Sequence, residues 1–417
     1  MGADDLRAGG LPVPPAGDDP GGAIAGPRVL HLDHTAVAGG AELALARMLS
    51  AGPSWHPFLL TPPTTGPAFD RLDGAVERGV SGIPQPAGVS SGRRGATIAA
   101  AASLLVQAAA TRVHREYRRA DLVDANSARA AAYGALAARA SRTPFVVHLR
   151  DTVDAAALGE VGSAIMRRLV LPRADGVVGN SRLTLQTALP FLRPGAATVV
   201  IPSASGLRAG PPVPGPREPG PLRVGMLARI DPWKGQALLI EAFAAAFPGD
   251  TVLEIAGAAP FGHEDHREEL RTQAERLGVA DRVAFLGHVD DVDALLARWD
   301  VAVQYSTRPE PLGQNVLQYL AAGRAVVVAD EGGPVEWVDD GVNGLRAAPR
   351  DVPALTAALR RIGGDPVLRA RLASAAAATP GLLSDAEVVD AHALFYAEVL
   401  HRRDGMRRGG LSPAAHR

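Results

Sequence analysis

The sequence predicts an α/β protein: two Rossmann-like domains facing one another across a cleft, with a last helix that returns to the first domain. Three observations predict this. From Arg28 onward, short β-rich runs alternate with longer helical stretches, the pattern of parallel sheets covered on both faces. The alternation stops in a Gly- and Pro-rich stretch at 206–221, where neither a helix nor a central strand can continue. It then restarts and runs to the final helix. With 417 residues, 47% hydrophobic and 21% charged, the chain has room for two or three domains with large cores.

Each element follows in order. Residues 1–27 are rich in Gly, Pro, Ala and Asp, with no apolar run of signal-peptide length, and are expected to be a disordered leader. The first domain, 28–205, carries expected strands at Val29–Leu32, Phe58–Leu60, Asp121–Ala125, Phe145–His148 and Gly176–Val178. A helix over Ala41–Leu49 places Leu45, Met48 and Leu49 on one face. The linker is 206–221. The second domain, 222–383, has strands at Leu222–Met226, Val252–Ala256, Val283–Leu286, Val301–Gln304 and Ala325–Val328, each followed by a helical segment. A final helix over about Asp385–His401, within 384–404, packs back on the first domain, and 405–417 is expected to be a disordered tail.

Composition narrows the function. A net charge of −1, from 43 basic and 44 acidic side chains, argues against a dedicated nucleic-acid binder. The absence of cysteine excludes disulfides, thiolate zinc sites and cysteine nucleophiles. No window reaches the roughly 18 apolar residues of a membrane span, and a cytoplasmic address fits. All but one of the 43 basic residues are arginine, the exception being Lys234, and asparagine occurs only at 126, 180, 315 and 343. Such a bias suits a GC-rich genome. A lysine or asparagine kept against it is a better functional candidate than its type alone suggests.

In open parallel sheets, ligands bind beyond the carboxyl ends of the strands, so candidate residues belong in the loops there. Gly39 and Gly40 directly precede a helix, whose N-terminus offers unpaired N–H groups, and Glu42 sits in the first turn where an acid complements the dipole. After the first strand of the second domain, Arg229 and Lys234 lie five apart across a Pro-containing turn, so both heads can converge on one anion. Further on, Gly313 opens a helix whose residues Gln314, Asn315, Val316 and Leu317 present backbone N–H groups. Glu310 just ahead can accept hydrogen bonds from neutral hydroxyls. His148 ends its strand on the ligand side, with Arg150 and Asp151 beyond. Asn126, Ser127, Asn180 and Ser181 occupy equivalent strand ends, where Asn and Ser also cap helices. Glu331-Gly-Gly-Pro-Val-Glu336 forms a further glycine turn, and Gly287 to Val289 can offer backbone groups to a flat base.

Together these elements resemble the retaining, GT-B-fold glycosyltransferases of family 4. The resemblance runs from about Arg28 to Asp404. It rests on Gly39-Gly-Ala-Glu42, the Arg229/Lys234 loop, Glu310-Pro-Leu-Gly313, Ala321-Ala-Gly-Arg-Ala-Val-Val-Val328, Gly332-Gly-Pro334 and Gly341-Val-Asn-Gly-Leu345. It implies a nucleotide-sugar donor, UDP- or GDP-linked, and a hydroxyl-bearing acceptor. Arg229 and Lys234 would hold the diphosphate with the amides near Gly313 to Leu317, and Glu310 would bind donor-sugar hydroxyls. Gly39 and Gly40 would approach the phosphate or sugar, His148 would line the reaction centre, and the base would lie near Gly287 to Val289. Retaining front-face transfer needs no carboxylate nucleophile. It also needs no metal and no cofactor where two cations and backbone amides neutralise the diphosphate. Two departures stand out. Gln318 occupies the position of the family's second glutamate, which usually bonds ribose hydroxyls, and Ile201-Pro-Ser-Ala-Ser-Gly206 replaces an Asn-Gly-hydrophobe-Asp sequence.

Two other readings share these residues. One is a nucleotide-sugar-binding scaffold without turnover, motivated by Gln318; the other is a phosphorylase carrying pyridoxal phosphate on Lys234, although such enzymes are usually much longer. The acceptor is not legible: glycan, lipid-linked and small natural-product acceptors all remain open. Arg93, Arg94, Arg112, Arg115, Arg118 and Arg119 flank an alanine-rich segment. This stretch reads either as a peripheral contact with an anionic membrane face or, more commonly, as a solvated helix face.

Overall fold

The computed structural model describes residues 26–85, 94–139, 141–207, 220–259 and 263–409. Most of the leader, most of the linker, Arg93 and the tail beyond 409 lie outside the described residues. The first sheet has seven strands: β1 (Arg28–Leu32), β2 (His56–Thr61), β3 (Glu77–Val80), β4 (Leu122–Ala125), β5 (Phe145–Leu149), β6 (Gly176–Gly179) and β7 (Ala197–Val200). They are ordered 3-2-1-4-5-6-7 and pair in parallel throughout. The second sheet has six: β8 (Arg223–Leu227), β9 (Val252–Ala256), β10 (Val283–Gly287), β11 (Val301–Gln304), β12 (Ala325–Ala329) and β13 (Leu345–Ala347). Their order is 10-9-8-11-12-13, again parallel. Two doubly wound α/β units therefore face each other, the GT-B arrangement.

Burial explains which strands the sequence reveals. β4 and β5 are buried along their whole length, as strands covered on both faces must be. The three strands not expected from sequence, β3, β7 and β13, all lie at sheet edges. β3 is Glu-Arg-Gly-Val and mostly exposed, and β13 spans three residues, so neither carries a long apolar run. Asp121 and Leu222 precede their strands and do not belong to them. Helix starts follow local chemistry: the side chains of Ser127, Asp154, Asp351 and Asp365 each accept an amide N–H of the first turn, and Pro follows within the first turn after Asp351 and Asp365.

The last helix runs over Asp385–Gly409, longer than its expected end at His401, and its final residues correct the expected tail from 405. It buries Val388, Val389, Ala391, Phe395, Tyr396 and Val399 in one core with Val29, Leu45, Leu49 and Leu59 of the first domain. The contact is close because β6 begins with glycine: a Cβ at Gly176 would lie 2.7 Å from Val399 and 3.0 Å from the Phe395 ring. Beneath the helix, Tyr396 and His31 both hydrogen-bond Asp124 Oδ2, at 2.9 and 3.1 Å. Trp55 Nε1–H, which can only donate, bonds His31 Nε2. His31 is therefore the Nδ1–H tautomer and donates to Asp124. Phe395→Ala is expected to destabilise the first domain by about 3–5 kcal/mol, seen as a lower urea midpoint. An unchanged midpoint would show that the helix lies outside that domain's cooperative unit.

Candidate active site

A cleft of about 390 Å³ separates the carboxyl ends of the two sheets. From the second domain it is lined by Arg229, Trp233, Lys234 and the segment Glu310 to Gln314. From the first it is lined by the loop His34 to Glu42, with Arg150, Asp151, Asn180 and Ser203.

The second-domain wall is built around a buried carboxylate. Glu310, 7% exposed, accepts from Lys234 Nζ at 2.5 Å and from Ser306 Oγ at 2.7 Å. Lys234 is delivered by a short 3₁₀ turn, Pro232–Lys234, capped by Asp231 and ended by Gly235 at φ +80. No larger residue fits at 235, where a Cβ would meet the Tyr305 carbonyl at 1.9 Å. Trp233 carries cations on its ring: Lys234 Nζ at 3.9 Å, Arg308 at 4.5 Å and Arg229 at 5.8 Å. Arg229 also pairs with Asp231 at 3.3 Å. The Glu310 segment rests on the second glycine turn, since a Cβ at Gly332 or Gly333 would strike the backbone of residues 309–312 within 3.2 Å, and Gly333 N–H donates to the Glu310 carbonyl.

This segment also holds the two domains together. Ser181 Oγ donates to the Pro311 carbonyl at 2.6 Å, and Gln314 Nε2 to the Ala204 carbonyl at 2.7 Å. Glu336 accepts the amides of Arg182 and Leu183 at 2.9 and 2.8 Å, so a second-domain carboxylate caps a first-domain helix.

The first-domain wall centres on Arg150. Its Nε and Nη2 both donate to Asn126 Oδ1, its Nη1 to Ser203 Oγ, and its own carbonyl accepts from Asn180. Asn126 in turn donates to Asp33 Oδ2 at 2.6 Å and to the Ala41 carbonyl. Burial lowers the Arg150 guanidinium to about 10 against the pull of Asp124, Glu42 and Asp33, so it stays charged at neutral pH. Glu42, 7% exposed, lies back over Gly39, and burial followed by the Asp33 charge pushes it up to about 7. Asp33, His34 and Glu42 bring one potential ligand atom each within 4.8 Å of one another, the one grouping among the described residues with the composition to hold a metal. Both Asp33 oxygens already accept hydrogen bonds, from the His34 amide and from Asn126.

The expected residues divide accordingly. The structure brings together Gly39, Gly40, Arg150, Asp151, Asn180, Arg229, Lys234, Glu310, Gly313 and Gln314 in the cleft wall. His148 is not among them. Its side chain lies on the same face of β5 as Val146, the face covered by the last helix, and its ring sits 5.4 Å from His392 in a small chamber behind Arg150. Burial holds the His148 imidazole well below its usual range. Val316 and Leu317 are core side chains whose amides already bond the Gly313 carbonyl, leaving those of Gln314 and Asn315 at the helix mouth. Asn315 instead ties its helix to the Leu227 carbonyl. Gln318 is half-buried and, with Gly287 and Val289, lies outside the cleft lining; β10, which ends at Gly287, is an edge strand two places from β8. Asn126 and Ser127 act as scaffold, and Ser181 as a cap and interdomain bond. Sequence reasoning missed His34 and Trp233 and treated Glu42 only as a helix-start acid. His34 follows β1 in the way that drew attention to His148.

Of the arginines at 93–119 whose side chains are described, Arg112 stacks on Tyr117, while Arg115 and Arg119 pair with Glu116. No described helix is long and apolar enough to cross a membrane.

The raised Glu42 carboxyl has a thermodynamic consequence. Below its ordinary 4.5 it is protonated folded or unfolded. Between there and about 7 only the folded state keeps the proton, so stability falls as pH rises. Glu42→Gln is therefore expected to gain on the wild type by on the order of 3 kcal/mol between pH 4 and pH 8. Parallel melts at the two pH values check this, and an equal offset at both would place the Glu42 carboxyl at its ordinary value.

Comparison with known proteins agrees with this geometry. The family described as "Glycosyl transferase 4-like domain" matches residues 39–204, and "Glycosyl transferases group 1" matches residues 214–379. The lipopolysaccharide core biosynthesis glycosyltransferase LpsE of Rhizobium meliloti is 39% identical over 112 residues, 27% of this chain and 33% of that protein. Glycogen synthase of Mycobacterium tuberculosis is 36% identical over 162 residues, 38% of this chain and 37% of its own. The match thus spans about a third of the length of these curated relatives. Anabaena HepE, solved in complex with UDP and glucose, superposes with a TM-score of 0.75 at 26% identity, covering 89% of this chain and 100% of HepE. WaaG, a glycosyltransferase involved in lipopolysaccharide biosynthesis, shares the fold with a TM-score of 0.64 at 17% identity, over 88% of this chain and 98% of WaaG. Two family matches in the expected order, on a GT-B fold with a cationic cleft, make this chain a member of the family 4-like GT-B glycosyltransferases.

Proposed function

We propose that this protein is a retaining glycosyltransferase that moves a hexosyl group from a nucleotide diphosphate sugar, UDP- or GDP-linked, to a hydroxyl acceptor. The observation that carries the reading is the second-domain wall. Arg229 and Lys234 line the cleft together with Gly313 and Gln314 at the start of the helix Gln314–Ala321, and Glu310, on the same wall, is bonded to Lys234. That combination suits a diphosphate carrying a sugar: two cations and the amides of Gln314 and Asn315 for the phosphates, and one carboxylate for sugar hydroxyls. Gly40, where a side chain would meet nothing within 4 Å, leaves the opposite helix N-terminus open to close approach.

The chemistry follows from where charge develops. The bond from the anomeric carbon to the diphosphate oxygen breaks, leaving an oxocarbenium-like sugar and a departing dianion. Arg229, Lys234 and the two helix N-termini line the cleft that would take that dianion and would stabilise it more than the ground state, whose sugar-linked phosphate carries one negative charge fewer, which is what lowers the barrier. The acceptor oxygen bonds the anomeric carbon on the face the phosphate leaves, and its proton passes to the leaving phosphate. The ion pair with Glu310 keeps Lys234 in place before donor arrives.

The donor assignment is tested by thermal shift with UDP, GDP, dTDP and ADP and their sugar conjugates on wild type and Lys234→Ala. One nucleotide at about 100 times its dissociation constant is expected to add roughly 2.7 kcal/mol to the wild type, and much less to the variant. No stabilisation by any of the four would overturn the assignment. Lys234→Ala alone leaves the buried Glu310 without its cation and is expected to cost about 3 kcal/mol. Adding Glu310→Gln should recover part of that loss.

A further inference from the structure

We propose that Arg308 is a further donor-binding residue, a third cation for the diphosphate, and that Trp233 positions it by holding its guanidinium on the indole ring beside Lys234. The inference rests on the glycosyltransferase reading above and extends the cationic wall of the same site.

The balance of charge around one indole carries the inference. Lys234 Nζ lies 3.9 Å from the Trp233 ring centroid, the Arg308 guanidinium 4.5 Å and that of Arg229 5.8 Å. Like charges gathered on one ring repel one another. Two of the three are answered by carboxylates, since Lys234 pairs with Glu310 and Arg229 with Asp231. Arg308 is exposed, and its side chain meets Trp233 without an ion pair or hydrogen bond to any of the described residues. Its charge is the surplus on this wall. A nucleotide diphosphate brings more than one negative charge to the same place.

Backbone hydrogen bonds fix the ring and the arginine relative to each other. Trp233 lies in the turn Pro232–Lys234, and its carbonyl accepts the Thr307 amide at 2.7 Å and Thr307 Oγ1 at 3.2 Å. Thr307 immediately precedes Arg308, and its own carbonyl accepts from Arg350 Nη1 at 3.0 Å. The root of the Arg308 side chain is therefore held beside the ring, while the guanidinium at its end can turn. Trp233 lines the cleft whereas Arg308 does not, so the ring is the link between this cation and the ligand space. A cation on an exposed ring face is weakly held, but a guanidinium on phosphate oxygens makes charge-assisted, often two-pronged hydrogen bonds. Arg308 therefore exchanges the indole for the diphosphate when donor binds. No covalent bond changes in that exchange, and Arg308 adds its charge to those of Arg229 and Lys234. Trp233 acts through Arg308 and is a positioning residue.

The test measures affinities for UDP and uridine, and for GDP and guanosine. Wild type, Arg308→Ala, Trp233→Phe, Trp233→Ala and the double variant Trp233→Ala/Arg308→Ala are compared, with a melting curve for each. Arg308→Ala removes an exposed, unpaired side chain and is expected to melt with the wild type. Its affinity for the diphosphate that the wild type binds should fall about tenfold, while the matching nucleoside binds as before. Trp233→Phe keeps a ring and should retain most of the affinity. In the Trp233→Ala background, removing Arg308 should cost clearly less than that tenfold, as expected of two residues acting as a unit. Indole emission gives a second signal: diphosphate should change it in the wild type as the cation leaves the ring, and change it less in Arg308→Ala. Three results would overturn the proposal while leaving the donor reading intact: equal diphosphate affinity in wild type and Arg308→Ala, equal weakening of nucleoside and diphosphate, or an undiminished loss on removing Arg308 without Trp233. A wild type that binds neither diphosphate removes the donor reading itself, and the role of Arg308 with it.

Discussion

The cleft is organised around one buried carboxylate that needs a cation. Glu310 is held by Lys234 and Ser306, and its backbone is pressed into place by two glycines that leave no room for a side chain. From that fixed point the constraint spreads in both directions. Lys234 stacks on Trp233, which Arg229 and Arg308 also approach, so the cationic wall is assembled around the same pair. On the other side, Pro311 and Gln314 bond the first domain directly. A single loop therefore sets both the electrostatics of one wall and the distance to the other.

The opposite wall works by different physics. Its polar groups form a connected chain from Asp33 through Asn126 and Arg150 to Ser203, nearly all satisfied internally. Arg150 separates two environments, lining the open cleft on one side and the closed chamber of His148 and His392 on the other. Burial keeps both histidines neutral near physiological pH, with His392 held to about 4. The last helix, which supplies His392 to that chamber and Tyr396 to Asp124, thereby lines the space behind Arg150 as well as covering the sheet.

Much of this was legible because chemistry in parallel α/β sheets collects at strand ends. Counting strands led to Gly39, Arg229, Lys234, Glu310 and Gly313 without any coordinates. Of the edge strands that escaped, Glu77–Val80 did so because exposure removes the apolar run that marks a strand, and Leu345–Ala347 because it is only three residues long. His148 was misplaced for the converse reason. Phe145–Leu149 is buried on both faces, so its sequence has no alternation from which to read the direction of a side chain. The setting of Glu42 is likewise invisible in one dimension: an acid in a first helical turn reads as a dipole partner, and only the third dimension shows it buried beside Asp33, His34 and Arg150.

The cap made by Glu336 has a further consequence. The amides of Arg182 and Leu183 belong to one domain and their acceptor to the other, so separating the walls strips both of their partner. Their exchange with solvent deuterium then becomes a clock for opening, ticking at the frequency with which the domains part. Because Arg182, Leu183 and Glu336 lie outside the cleft lining, that clock keeps running with the cleft empty or full. It separates how often the protein opens from what it does when closed.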